Sequence, residues 1–219
     1  MQNRFESLTD KMTWRRGRLH IRKRDKVLAR VIDGIEYPEF KVERDHYEAL
    51  IDSIISQQIS WAAARSILAR FKGLYSGRLP KPAEYLKTKD ARLRSAGLSP
   101  QKMSYIRDLC ERIEDGSLEL RRFRYMPDER IIEELDAVKG IGRWTAEMFM
   151  IFSLGRTDIF PVDDLGIKKA VQRVYGLRSM PDRKAYDAIS RPWHPYSSIA
   201  TLYLWRSADM ENAFLGKEG

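Results

Sequence analysis

Asp163 and Asp164 stand side by side in a Pro161-Val162-Asp163-Asp164 turn, between an apolar stretch and the next helical segment. A carboxylate there can cap the helix that follows. It can equally offset positive charge developing on a substrate, and residue type alone leaves both roles open. A second group with chemical potential is Gly140-Ile141-Gly142, flanked by Lys139 and Arg143. Two glycines between helices allow a tight hairpin whose backbone N–H groups face outward at a helix start, a geometry suited to a phosphate oxygen. Gln57-Gln58 closes an apolar helical face, where packing gives a glutamine pair no reason to sit, although a polar helix end would look the same. His20, His46 and His194 are widely separated and show no ligand spacing, so no catalytic metal is expected. No Walker loop or dinucleotide fingerprint is present.

The elements that must position these groups read as helices. Ile131, Ile132, Leu135 and Val138 repeat at helical spacing before the glycines, and a second helix is expected from Arg143 to Leu154, stopped by Gly155. Tyr47, Leu50, Ile51, Ile54 and Ile55 form one apolar stripe. A helix from Trp61 to Lys72 would stop at Gly73. Ser99-Pro100 supplies an N-cap and a first-turn proline for a helix carrying Met103, Ile106, Cys110 and Ile113 as far as Gly116. Ile167, Ala170, Val171 and Val174 follow the aspartates in a helix ending at Gly176, and Pro195 opens a last helix with Ile199, Leu202, Tyr203 and Trp205. Strand character is confined to Ile35–Val42, where alternation is poor and Pro38 intrudes. The expected class is all-α.

Composition points to a polyanionic partner. Forty Lys/Arg against 31 Asp/Glu give a formal charge of +9, with a pI near 9.6. Residues 1–30 hold ten Lys/Arg and three acids. Such a run usually reads as a solvated or disordered arm, with direct DNA contact left open. No apolar stretch approaches the roughly 20 residues of a membrane span, and the N-terminus lacks an apolar signal core, so an intracellular protein without membrane association is expected. The lone Cys110 excludes an internal disulfide and a four-cysteine iron–sulfur cluster, and fits a reducing compartment.

Taken together, the motif residues resemble the helix-hairpin-helix DNA glycosylases with a downstream catalytic aspartate, and within them the 3-methyladenine DNA glycosylase II branch. The matching residues are Leu135, Val138-Lys139-Gly140-Ile141-Gly142-Arg143-Trp144-Thr145-Ala146, then Val162-Asp163-Asp164 and Ile167. Upstream they are Tyr47-Glu48-Ala49-Leu50, Ser56-Gln57-Gln58-Ile59-Ser60, Gly97-Leu98-Ser99, Lys102, Tyr105, Ile106, Arg107 and Asp108. They follow the family's order across residues 46–206. The resemblance implies two helical lobes with an active-site cleft between them. One lobe would be 46–155, with the helix-hairpin-helix at 131–154. The other would join a basic segment, 1–45, to the C-terminal helices of 156–219. It also implies no iron–sulfur cluster, unlike the endonuclease III and adenine-mismatch relatives, and no N-terminal β domain, since 45 residues are too few for one.

The activity so implied is removal of alkylated purines, such as 3-methyladenine and 7-methylguanine, from double-stranded DNA in base excision repair. The nucleotide would be flipped out of the duplex and its N-glycosidic bond hydrolysed to leave an abasic site. Asp164, the second of the acidic pair, is implied as the catalytic carboxylate, and Asp163 as a turn residue. Strand-cutting relatives carry at the Trp144 position a lysine that forms a Schiff base; tryptophan cannot, which implies a monofunctional enzyme. Trp144, Met148 and Trp205 would line the base pocket, where an aromatic face suits a cationic alkylated ring, unless either tryptophan is a core anchor. Met148 departs from the tyrosine of some relatives, so uracil, mismatched thymine and oxidised guanine remain alternative bases. Gln58 would fill the gap left in the base stack. Lys139, Gly140, Gly142, Arg143 and Thr145 would hold backbone phosphate. A sodium or potassium ion on the carbonyls of Asp136, Val138 and Ile141 is the one cofactor suggested. A monomer is expected, in the nucleoid of a prokaryote or the nucleus of a eukaryote. A helix-hairpin-helix DNA-binding protein without catalysis is the alternative of a different class.

Overall fold

The computed structural model describes residues 7–36, 41–43 and 45–215, with side chains as far as 208. Among them the α-helices, in chain order, are α1 Lys11–Arg24, α2 Lys26–Gly34, α3 His46–Ser56, α4 Trp61–Gly73, α5 Pro82–Leu86, α6 Asp90–Ser95, α7 Pro100–Glu114, α8 Asp128–Asp136, α9 Arg143–Phe152, α10 Leu165–Val174, α11 Arg183–Ser190 and α12 Ser197–Leu215. Short 3₁₀ turns lie at Leu120–Tyr125 and Arg191–Trp193. No strand occurs among the described residues, in agreement with the all-α expectation. Of the stretch 35–42, residues 37–40, with Pro38, lie outside the described residues. The chain divides into two compact units, Glu43–Phe149 and the residues up to Val42 together with those from Met150 onward.

In the unit that joins the N-terminal and C-terminal segments, the basic run from Lys11 onward is not an arm but two helices. Asp10 caps α1 by accepting the Met12 and Thr13 N–H groups at 3.1 and 3.0 Å. Trp14, Ile21, Leu28 and Ile32 are all buried, while most of the lysines and arginines between them face solvent. The apolar signal was too sparse among so many charges to read as a face. α1 packs on α2, and both pack on α12. Gly17 makes the α1–α12 approach close enough that an added Cβ would sit 2.3 Å from Ile199 Cδ1. Asp25 ends α1 and caps α2. Its carboxylate, almost wholly buried, accepts the N–H groups of Val27 and Leu28, the Trp193 indole N–H at 2.8 Å and the Tyr175 hydroxyl. Four donors offset a desolvation cost that would otherwise be several kcal/mol.

Within Glu43–Phe149, α3 packs against α4 and α7, and α7 against α5 and α6. Ser99 caps α7 through the Lys102 N–H, with Pro100 in the first turn as expected. The α7 core face is Met103, Ile106, Leu109 and Cys110. Burial pushes the Cys110 thiol up to about 12, so it is an inert core residue, 3.3 Å from the Tyr47 hydroxyl. The five and six residues of α5 and α6 are too few for a period to show in sequence.

Candidate functional site

The glycine hairpin is built as its residue types require. After α8 the chain turns through Gly140 at φ +79°, and the Ile141 N–H reaches the Val138 carbonyl at 3.0 Å. Val138 and Ile141 are buried and pin the turn. The Gly142 carbonyl accepts the Ala146 N–H at 3.0 Å, so Gly142 opens α9. The two glycines are there for different reasons. A Cβ on Gly140 would lie 2.1 Å from Tyr105 Cδ2, in a backbone region that side chains avoid. A Cβ on Gly142 would meet nothing within 4 Å. Its bareness serves no packing need and leaves the first amides of α9 open to close approach.

Asp108 holds the hairpin from α7. It accepts the Lys139 backbone N–H at 3.0 Å and the Arg112 guanidinium at 2.9 Å. Burial works against ionisation of this carboxyl, but these donors outweigh it and hold its pKa below the usual range. Of the expected phosphate ligands, Lys139 is well exposed, with Nζ only 3.8 Å from Asp108 Oδ1. Arg143 is engaged by Glu129 at 2.8 Å and Glu147 at 3.6 Å. Thr145 is buried, which leaves its backbone N–H, not its hydroxyl, as the group suited to phosphate.

Gln57 and Gln58 end α3 in unlike ways. The Gln57 side-chain amide donates to the Gly140 carbonyl at 2.7 Å, tying this loop to the hairpin. Gln58 has φ +59°, a conformation with a cost for a residue bearing a Cβ. Lys102 Nζ fixes the loop from below through the Ile55 carbonyl at 2.6 Å, and desolvation there lowers its pKa. A merely polar helix end would need neither tie.

Asp164 is the N-cap of α10, accepting the Ile167 N–H at 2.7 Å on Oδ1. The same oxygen accepts the Trp205 indole N–H at 3.0 Å. Capping does not preclude a second role, because a carboxylate offers about four lone-pair sites. Trp205 is half-buried and stacks on Phe152, centroids 5.8 Å apart at 22°. Asp163 is exposed and pairs with Lys168 at 3.4 Å, in keeping with a turn residue. Trp144, at 47% exposure, is no core anchor. Met148, one turn on, is half-buried.

Residues without an assigned role in the sequence reading complete the support. Asp158 accepts the Ser197 hydroxyl at 2.6 Å and its N–H at 3.3 Å, setting the start of α12, which carries Trp205. His194 Nδ1 lies 2.9 Å from the same carboxylate. Serine and imidazole Nδ1 both face the acid here, so this is a helix-start clamp and not a nucleophilic triad, in which the other ring nitrogen must face the serine. His20 meets the Pro192 carbonyl at 3.1 Å, and His46 packs edge-on against Phe149. Separations of 31 to 47 residues in the Asp108, Lys102, Asp158 and Trp205 contacts put them beyond any local pattern.

Comparison with known proteins places the fold and the family. A DNA-3-methyladenine glycosidase structure from Bacillus halodurans superimposes with a TM-score of 0.82 at 35% identity, covering 93% of this chain and 91% of that one. The Schizosaccharomyces pombe 3-methyladenine DNA glycosylase in complex with abasic DNA gives 0.76 at 31% identity, covering 89% of this chain and 97% of that one. A Bacillus subtilis relative, 33% identical over 74% of this chain, is longer, and the chain spans 59% of its length. The family model for HhH-GPD superfamily base excision DNA repair proteins matches residues 51–195, the stretch that contains the Gln57-Gln58 loop, the hairpin and Asp164. With two thirds of its sequence under that model and both solved relatives matched along most of their lengths, this chain belongs to the HhH-GPD superfamily of base excision DNA repair proteins.

Proposed function

We propose that this protein is a monofunctional DNA glycosylase that removes alkylated purines from double-stranded DNA, with 3-methyladenine and 7-methylguanine as the reference substrates. The observation that carries the reading is Asp164, held by the Ile167 and Trp205 N–H groups on one oxygen. Cleavage of the bond between base and C1′ builds positive charge on the sugar, and a carboxylate fixed beside C1′ stabilises it and orients water. Two N–H donors on Oδ1 restrict rotation of the carboxylate, so little reorganisation is needed as charge develops. The names of the two solved relatives, a 3-methyladenine glycosidase and glycosylase, support the substrate class.

An alkylated purine with a ring charge is a good leaving group and needs little acid assistance. Trp144 offers an aromatic face to that cation, and its indole cannot form the Schiff base of a strand-cutting enzyme. Met148, one turn on, extends that face, and Trp205 orients Asp164. Lys139 and the amides at Gly140, Gly142, Arg143 and Thr145 take a backbone phosphate, and Gln58 occupies the gap left by the flipped nucleotide. A monovalent cation on the carbonyls of Asp136, Val138 and Ile141 fits this hairpin: the Val138 oxygen accepts one N–H and keeps a second lone pair. The protein acts as a monomer inside the cell.

The test is a panel of duplexes, each with one modified base, treated with the protein and then with alkali to reveal abasic sites. Cleavage confined to alkylated purines is the expected pattern. Cleavage at uracil, mismatched thymine or oxidised guanine instead would move the specificity to that base, and none anywhere would leave a DNA-binding protein.

A further inference from the structure

Trp61 is among the most exposed large hydrophobic side chains of the described residues, at 73%. It opens α4, three positions after Gln58, where Ser60 caps the helix through the Ala63 N–H. The buried side of α4 is marked by Ala64 and Phe71; Trp61 and Arg65, one turn apart, lie on its solvent face. The Arg65 guanidinium stacks over the indole, 4.6 Å from the ring centroid. Ile59 is also partly exposed. An indole left in water gains nothing for folding, and a cation held on it keeps a charged, flat platform in place. Such a pair suits a nucleobase stacked on the ring with its phosphate near the guanidinium.

We infer that Trp61 and Arg65 form a second DNA contact, which takes a nucleotide of the strand opposite the lesion. This rests on the glycosylase reading above. In that reading Gln58 occupies the gap left by the flipped nucleotide, and Gln57 anchors its loop to the hairpin through the Gly140 carbonyl. Gln58, at φ +59°, turns the chain just before α4, whose first residue is Trp61. With Gln58 in the gap, the orphaned base opposite is the unstacked partner nearest to the exposed indole three residues on. The pair therefore reads the unstacked partner base or its neighbour, and stabilises the opened duplex after flipping.

The experiment uses the full chain and a duplex with a tetrahydrofuran abasic-site analogue, with 2-aminopurine opposite it or one position to either side. Wild type should change the 2-aminopurine emission at one of these positions by stacking. Trp61→Ala should remove that change and weaken binding to the abasic duplex about tenfold, within the range of a lost base–aromatic stack, with plain-duplex affinity held within about twofold. Trp61→Phe should retain most of the signal, and Arg65→Gln should lose part of the affinity. Unchanged emission and affinity in Trp61→Ala overturns the inference. So does an equal loss on plain and abasic duplexes, which would make Trp61 an ordinary backbone contact. Base release by wild type from methylated duplex is measured alongside. Its absence would sink the glycosylase reading, while the emission data would still decide the contact.

Discussion

At the scale of single residues, the cap that Asp164 provides and the catalysis proposed for it can be separated. As an N-cap it satisfies the Ile167 N–H; in the proposed reaction it would offset charge on the sugar. Asn also caps helices well, so Asp164→Asn should fold normally yet lose base release by about a hundredfold or more, a loss typical of removing one preorganised electrostatic group. Affinity for duplex should hold or rise slightly, because one negative charge near phosphate is gone. Activity within a few-fold of wild type in single-turnover assays would reduce Asp164 to a cap. Trp205→Phe isolates the indole N–H, since phenylalanine keeps an aromatic ring against Phe152 but cannot donate to Asp164. A hydrogen bond to a charged group contributes roughly 1.5–3 kcal/mol. The chemical step should therefore slow about tenfold or more, with KM little changed; a rise in KM alone would make Trp205 a pocket wall only.

At the scale of elements, the α8–turn–α9 hairpin is tied to the loop after α3 through Gln57 to Gly140 and to α7 through Asp108 to Lys139. Gly142→Asp should weaken plain and damaged duplex alike, since a carboxylate would face the phosphate at a position where the protein itself leaves space. Gln58→Ala should lower capture of abasic sites and leave plain-duplex affinity and its salt slope unchanged. Measured at two salt concentrations, equal losses on both duplexes would make Gln58 a backbone contact. Asp108 adds a pH dependence. Its folded pKa is depressed, so its contribution to stability is present above the unfolded value of about 3.9 and is lost as pH falls through the lower folded one. Asp108→Asn should flatten the acid limb of the stability–pH curve, and an unchanged limb would mean the Lys139 tie carries no stability. Much of this was legible in sequence: glycines mark the turn, and the acidic pair marks a helix start. The contacts that hold each of them in place were not. Gln57 with Gly140 and Trp205 with Asp164 are contacts across 83 and 41 residues. The N-terminal helices were hidden because a few buried apolar residues sit among many charges.

At the scale of the whole molecule, a net charge of +9 predicts binding to plain duplex that weakens steeply with salt. Each phosphate contact contributes a slope of about −0.9 in log affinity against log salt, so Lys139→Ala should lower the slope by about one; no change would remove Lys139 from the interface. Fold and charge alone would serve a DNA-binding protein equally well. The distinction rests on whether a base leaves the DNA, and by what chemistry. The most direct measurement is a time course of free-base release from a duplex carrying 3-methyladenine and 7-methylguanine, run for wild type and Asp164→Asn, with borohydride present in a parallel wild-type sample. Wild type should release the methylated purines and leave an alkali-labile abasic site behind, with almost none of either for Asp164→Asn and no covalent adduct. No release by wild type, release undiminished in Asp164→Asn, or a trapped protein–DNA adduct would contradict the proposed reaction.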